Sequence, residues 1–151
     1  QWVDWTKQLG FEYYLVDEGW KGWKDKGQND WACLRDVCGY AKTQGVNIWA
    51  WVNSSDVSTP ATRTNFLDRA AAAGVAGVKI DFEPEANVRW VNWYDATRRD
   101  AAARHLMVDF HGANKPVGRE RTWPNELTRE SIRGHEYHIL RYHRTLPPQH
   151  D

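Results

Sequence analysis

Gly77-Val78-Lys79-Ile80-Asp81-Phe82 is the stretch whose reading decides the fold. Val78, Ile80 and Phe82 are apolar, a lysine sits among them, and a carboxylate stands near the end. A short apolar run of this kind suits a buried strand. Side chains two residues apart point to the same face of a strand, so Lys79 and Asp81 share one. If that face looks into a pocket, the pair is able to hold a sugar hydroxyl and attack the neighbouring carbon.

Outward from this run, the chain alternates strand-like and helix-like segments. Before it, Phe11 to Val16 reads as a strand ending in Asp17-Glu18-Gly19-Trp20, and Val46 to Val52 as a strand ending in Asn53-Ser54-Ser55-Asp56. After it, Leu106 to Phe110 reads as a fourth strand, running on into His111-Gly112-Ala113, and Gly134 to Tyr137 as a short fifth strand or a loop. The segments between carry helical periodicity. Trp2, Trp5 and Leu9 recur at helical spacing, with Gly10 as the stop. Asp30 is the expected N-cap of a helix with Trp31, Leu34, Val37, Cys38 and Ala41 as its apolar stripe. Thr59-Pro60 opens another helix, with proline at its first position, and Gly74 closes it. Val88 to about Arg104 is the next, and Leu127 to Ile132 reads as a helical turn.

Strands recurring roughly every 30 residues between helices are the rhythm of parallel βα units. The fold class is therefore α/β, either a doubly wound sheet or a (β/α)8 barrel. No glycine-rich phosphate motif follows any strand, which lowers the nucleotide-binding option. The strand ends favour the barrel. Asp17, Glu18, Asn53, Asp81, Asp109 and His111 all fall where strands meet their following loops, with Glu136 at the next one. That is where a barrel places its active site. For Asp30 and Asp56 a helix-capping role is the better reading. A full barrel needs about 250 residues, whereas this chain has 151 and supplies four to five βα units. The closing units lie outside the chain, or two chains associate, or the sheet stays open.

Composition narrows the function. Lys plus Arg equals Asp plus Glu at 20 each, so no basic field suggests nucleic acid. Ten tryptophans suit core packing and stacking on flat ligand faces, and neutrality favours sugars over bases. Trp20, Trp49 and Trp51 could floor a sugar subsite or fill the core. Trp2, Trp5, Trp31, Trp90 and Trp93 sit on predicted helices, where core packing is the expectation. Cys33 and Cys38 are five apart on a predicted helix, too far round to pair, and are expected to be buried free thiols. His135, His138 and His143 complete no zinc motif. No run is long enough to span a membrane and none reads as a signal peptide. The opening Gln1-Trp2-Val3-Asp4 has mid-helix character, so the chain reads as a piece of a longer protein.

Several stretches together resemble the catalytic barrel of glycoside hydrolase family 97. They are Leu9 to Tyr13 with Val16 to Trp20, Tyr40-Ala41-Lys42 with Gly45-Val46, Trp49 to Asn53, Gly77 to Phe82, Leu106 to Pro116, Arg121 to Asn125, Leu127-Thr128-Arg129-Glu130, and Arg133-Gly134-x-Glu136-Tyr137. They occur in the family's order and run to about Tyr137. The resemblance implies that residues 1–151 are a fragment of a catalytic (β/α)8 TIM barrel. It also implies calcium-dependent hydrolysis of α-glycosides by bacterial enzymes of the periplasm or exterior. Asp81, with Gly112 after the histidine, matches the retaining branch, most closely its α-galactosidases. Asp81 is then the nucleophile and Glu136 the acid/base. Lys79, Asp17, Glu18, Trp20, Trp51, Asn53, Asp109 and His111 become the expected substrate contacts, and Glu130 a calcium ligand. An α-glucosidase of the same family, or a carbohydrate-binding fragment without turnover, are the other readings. The expected partner is an oligosaccharide or α-glycoside, with no nucleic acid and no membrane. Open barrel edges would favour self-association.

Overall fold

Five strands pair in the order in which they occur in the chain, β1-β2-β3-β4-β5, and every pair is parallel. The computed structural model describes residues 1–83 and 87–132. Within it α1 (Trp2–Gln8) leads into β1 (Tyr13–Val16), followed by α2 (Asp30–Thr43), β2 (Asn47–Asn53), α3 (Pro60–Ala73), β3 (Gly77–Asp81), α4 (Val88–Ala102), β4 (Met107–Phe110) and β5 (Glu126–Arg129). A doubly wound sheet reverses its strand order at a switch point. The uninterrupted order here is that of a (β/α)8 barrel segment, an α/β fold of four to five units, as the strand spacing predicts.

Alternation along each strand separates two faces. Ile48, Ala50, Val52, Val78, Ile80, Val108 and Phe110 are fully buried and join one core with Leu34, Leu67, Ala70, Trp93 and Ala101 of the helices. Each of the Val, Leu, Ile and Phe side chains among them contributes roughly 1.5–3 kcal/mol by leaving water. The alternate residues, among them Leu15, Trp49, Trp51, Lys79, Asp81 and Asp109, belong to the other, concave face. Gly77 is required there. A Cβ on it would fall 2.5 Å from the Trp49 ring, well inside van der Waals contact, so the indole packs directly on the backbone of β3.

Local chemistry explains the helix ends. A capping box between Thr59 and Thr62, with Pro60 behind it, starts α3, and left-handed Gly74 stops it. Asn87 caps α4 by accepting from the Trp90 amide. The cap of α2 is Asn29, whose side chain accepts from the Ala32 amide at 3.0 Å. Asp30, expected as the cap, is instead the first helical residue, where its charge still favours the helix N-terminus.

Other expectations need correction. Trp2 and Trp5 are not core residues. They are 62% and 43% exposed and pack edge-to-face on each other, while Val3 and Thr6 are the buried positions of α1. Leu127 to Ile132 is not a helical turn. Glu126–Arg129 pairs with β4 across a bulge between Val108 and Asp109, and Glu130 N donates to Phe110 O at 2.8 Å. Long-range pairing overrides the local spacing of Leu127 and Ile132. Phe82 lies beyond β3, at φ 66° and 57% exposed. Both cysteines are free, Cys38 buried and Cys33 half-buried. Trp31, Trp90 and Trp93 are core residues as expected. Gly134 to Tyr137, with Glu136 and the histidines His135, His138 and His143, lies outside the described residues. Among the described residues no helix is long and apolar enough to cross a membrane.

Candidate active site

The parallel register sets the site. Trp51 pairs with Lys79 and Asn53 with Asp81 across β2 and β3, and Lys79 pairs with Asp109 across β3 and β4. The C-terminal ends of three neighbouring strands therefore converge on the concave face, and Asp17 joins them from the end of β1.

Lys79 is the hub. Its ammonium lies 2.9 Å from Asp17 Oδ2 and 3.7 Å from Asp81 Oδ2. Burial pulls that ammonium's pKa down, but the bond to Asp17 and the charges of Asp17, Asp81 and Asp109 outweigh it, so the net shift is upward and Lys79 is a firm cation. Asp81 is held at both oxygens. Oδ1 accepts from the Phe82 amide at 2.8 Å, and Oδ2 accepts from Trp51 Nε1 at 3.2 Å. A carboxylate so held has a fixed plane and a cation beside it.

Beside it, His111 links two acids. Its Nε2 is 3.6 Å from Asp109 Oδ2 and its Nδ1 is 3.2 Å from Glu130 Oε2, which also accepts from the Gly112 amide at 3.2 Å. Burial pushes the Asp109 carboxyl up to about 6. His111 and Lys79 oppose the rise, and Asp81 and Glu130 add to it. Asp109 Oδ1 is buried without a partner among the described residues. Gly112 keeps the space next to Asp81 open, because a Cβ there would lie 3.7 Å from Asp81 Oδ1 and 3.6 Å from the Phe82 nitrogen. Its φ of +60° also disfavours a side chain.

The remaining expected residues divide. Glu18 is exposed next to Asp17, and its amide donates to Asp17 Oδ1 at 2.9 Å. Asn53 turns its Oδ1 back to Ser55 N and Oγ, at 2.9 and 2.7 Å. Trp20 does not floor an open subsite. It is 1% exposed, donates Nε1 to Trp51 O at 2.8 Å and packs edge-to-face on Trp31. An indole between strand end and helix is drawn into the core.

Two cavities flank this cluster. One of about 270 Å³ on the concave face is lined by Tyr13, Leu15, Trp49, Asp109, Leu127 and Thr128. A larger one of about 560 Å³ lies between α1, β1 and α2 and does not include Asp81. Neither is lined by Asp81; the smaller reaches the carboxylate cluster through Asp109 and the larger through Asp17.

Sequence reasoning missed Glu83. It is 7% exposed, and among the described residues neither carboxylate oxygen has a hydrogen-bond partner. Burial raises its pKa to about 9; the nearby dipole of its own backbone N–H opposes this, Asp81 and Asp109 add to it, and Arg129 opposes it. Next to Pro84 it reads as an ordinary loop acid. Only the left-handed turn at Phe82, which carries the chain inward, gives it away. The charge cluster behind β5 was also missed. Glu126 accepts from Arg98 Nε and, at 2.8 Å, from Arg129 Nε, and Asp95 lies 2.8 Å from Arg98 Nη1.

A carboxylate fixed at a parallel strand end beside a buried cation, within a row of acids, is the arrangement of a glycosidase barrel. Comparison with known proteins agrees. The model of the glycoside hydrolase 97 family matches residues 1–132. The chain belongs to glycoside hydrolase family 97. It is 36% identical over 144 residues to a probable retaining alpha-galactosidase of Streptomyces bingchenggensis, covering 91% of this chain and 22% of that protein. It is 29% identical over 140 residues to a retaining alpha-galactosidase of Bacteroides thetaiotaomicron, covering 89% of this chain and 20% of that one. A crystal structure of a beta-arabinopyranosidase superposes with a TM-score of 0.72 at 27% identity, covering 82% of this chain and 21% of the other. The family 97 chain described here thus spans about a fifth of the length of the relatives it matches.

Proposed function

We propose that this chain carries the nucleophile side of a retaining α-galactosidase, with Asp81 as nucleophile and Glu136 as acid/base. The observation that carries the reading is the Asp81 carboxylate, held at both oxygens next to the Lys79 ammonium at the end of β3. In the first step an Asp81 oxygen bonds to the anomeric carbon as the bond to the aglycone oxygen breaks, and Glu136 gives that oxygen its proton. In the second step Glu136 takes a proton from water. The water oxygen bonds to the anomeric carbon as the Asp81 ester opens. Retaining sites hold the two carboxyl groups about 5–5.5 Å apart. Lys79, Asp17, Glu18, Asn53, Asp109 and His111 are proposed to hold the sugar's hydroxyls.

The names of the two curated relatives support galactose. The arabinopyranosidase neighbour adds a second substrate to examine, since a β-L-arabinopyranoside keeps the ring stereochemistry of an α-galactoside and lacks only its exocyclic carbon. An α-glucosidase, differing at one hydroxyl, completes the panel. Calcium is proposed through Glu130 alone. The described residues contain no group of three or more His, Cys, Asp or Glu that would hold a metal, so the remaining ligands must come from elsewhere, and no step above depends on the ion. A periplasmic or secreted setting is proposed from the family.

The test is hydrolysis of nitrophenyl α-galactoside, α-glucoside and β-L-arabinopyranoside, with and without calcium. Asp81→Ala should cost turnover on the order of 10⁴-fold, the scale for deleting a reacting group. Azide should restore release of nitrophenol from that variant and yield the β-galactosyl azide, because it attacks from the vacated face. Wild-type turnover in Asp81→Ala would refute the assignment. A second reading, sugar binding without turnover, draws on β1 and β5, each paired on one side only among the described residues. Such edges favour self-association. Galactose binding by a chain without hydrolysis would select it.

A further inference from the structure

Trp51 has no need of a sugar to explain its place. Its indole reaches diagonally from β2 to the residue two beyond its own register partner Lys79, and Nε1 donates to Asp81 Oδ2 at 3.2 Å. The side chain is held on several sides. Trp51 is 6% exposed, its carbonyl accepts from Trp20 Nε1 at 2.8 Å, and its ring meets the Phe82 ring edge-on with centroids 6.4 Å apart. The Lys21 ammonium stands 6.0 Å from its ring centroid, at the outer limit of a cation–π contact.

We propose that Trp51 is a positioning residue for the nucleophile, fixing the Asp81 carboxylate by its indole N–H rather than offering its face to the sugar. This rests on the reading of Asp81 as nucleophile. In the covalent intermediate one Asp81 oxygen is esterified to the anomeric carbon. When that ester opens, the electron pair returns to the carboxylate, and a donor already aimed at it stabilises the returning charge. A preset donor therefore acts on the second step as well as on the approach of the first.

Two measurements test the proposal. In the first, Trp51→Phe keeps an aromatic ring and removes the donor. Turnover should fall about tenfold or more, the scale of one hydrogen bond to a charged group. The acid limb of the kcat/KM profile should move to higher pH, and KM should stay within about twofold of wild type. A KM raised about tenfold with kcat and the acid limb unchanged would mark a sugar platform and overturn the proposal.

The second measurement needs no turnover. Of the ten indole resonances, that of Trp51, assigned in the wild-type chain by through-bond correlation to its own backbone amide, should show the largest displacement in Asp81→Ala. An undisplaced resonance overturns the proposal even where the variant of the first measurement fails to fold. Absence of all hydrolysis by the wild-type chain counts against Asp81 as a working nucleophile, while the indole measurement still decides the contact.

Discussion

Charged groups lie on both sides of β4, and the two sets meet burial in different ways. On the helix side Glu126 takes both Arg98 and Arg129, Asp95 takes Arg98 and Arg119, and Arg129 also donates to the Asn114 carbonyl at 2.9 Å. On the concave side one ammonium, Lys79, faces Asp17, Asp81 and Asp109, and one imidazole stands between Asp109 and Glu130. The first set nearly closes on itself and ties β5 to α4. Among the described residues the second leaves acid in excess, an unpaired oxygen on Asp109 and a carboxyl raised to about 6. Buried polar groups are normally satisfied, and perturbed carboxyls cluster where chemistry is done. The contrast assigns one set to holding the fold and the other to meeting a ligand.

The sharpest way to break that contrast is to remove one acid from each set. Glu126→Ala would leave Arg98 with Asp95 and Arg129 with Asn114, two guanidinium groups short of a shared carboxylate and only 5% and 4% exposed. Removing one partner of a buried pair costs about 3–5 kcal/mol, so the denaturation midpoint should drop steeply. Asp81→Ala, with the opposite signature, should leave the midpoint close to wild type while abolishing turnover. If Glu126→Ala unfolded no earlier than wild type, the helix-side set would not be structural.

Glu83 lies between the two sets and feels both, with Asp81 and Asp109 pushing its carboxyl up and Arg129 pulling it down. Its value in the fold is about 9 against an ordinary 4.5. The sign follows from proton counting. Above pH 4.5 the unfolded chain releases this proton while the folded chain keeps it, so the stability that Glu83 permits is complete below pH 4.5 and is lost as pH rises toward 9. Glu83→Gln cannot ionise. Its midpoint should match wild type near pH 4.5 and exceed it increasingly toward pH 9, by about 2–4 °C for each kcal/mol at this chain length. A difference independent of pH would mean that Glu83 is ionised in the fold.

How much of this was legible in the chain follows from the range of each signal. Strand alternation and the caps at Thr59 and Gly74 are local, and they placed β2, β3, α3 and the shared face of Lys79 and Asp81 correctly. The convergence of Asp17, Asp81 and Asp109 on that face was legible as well, because parallel register aligns strand ends. The strand at Glu126–Arg129 was not, since its identity comes from pairing with β4 across a bulge. Neither was the inward turn that buries Glu83, nor the bond from Trp51 to Asp81. A tryptophan's spacing reveals its face but not which acceptor its N–H will meet. The exposure of Trp2 and Trp5 has the same origin, because periodicity identifies an apolar stripe without saying what covers it.

The smallest expected effect concerns Phe82, the hinge between the two sets. Its φ of 66° is a left-handed conformation that costs a residue with a Cβ about 1 kcal/mol or more. Three hydrogen bonds hold it there. Its amide donates to Asp81 Oδ1 at 2.8 Å and to His111 O at 3.2 Å, and Ser54 Oγ donates to its carbonyl at 2.6 Å. Phe82→Gly relieves the strain but loosens the unfolded chain by a similar amount. Stability should therefore change by no more than about 1 kcal/mol, whereas Phe82→Val, β-branched at positive φ, should lose more. Turnover should fall in Phe82→Gly even at unchanged stability, because a more mobile turn holds the amide less firmly against Asp81. A loss well above 1 kcal/mol in the glycine variant would show that the Phe82 ring supports the fold. The strain would then belong to the structural set, and the division between the two sides of β4 would have to be redrawn at this residue.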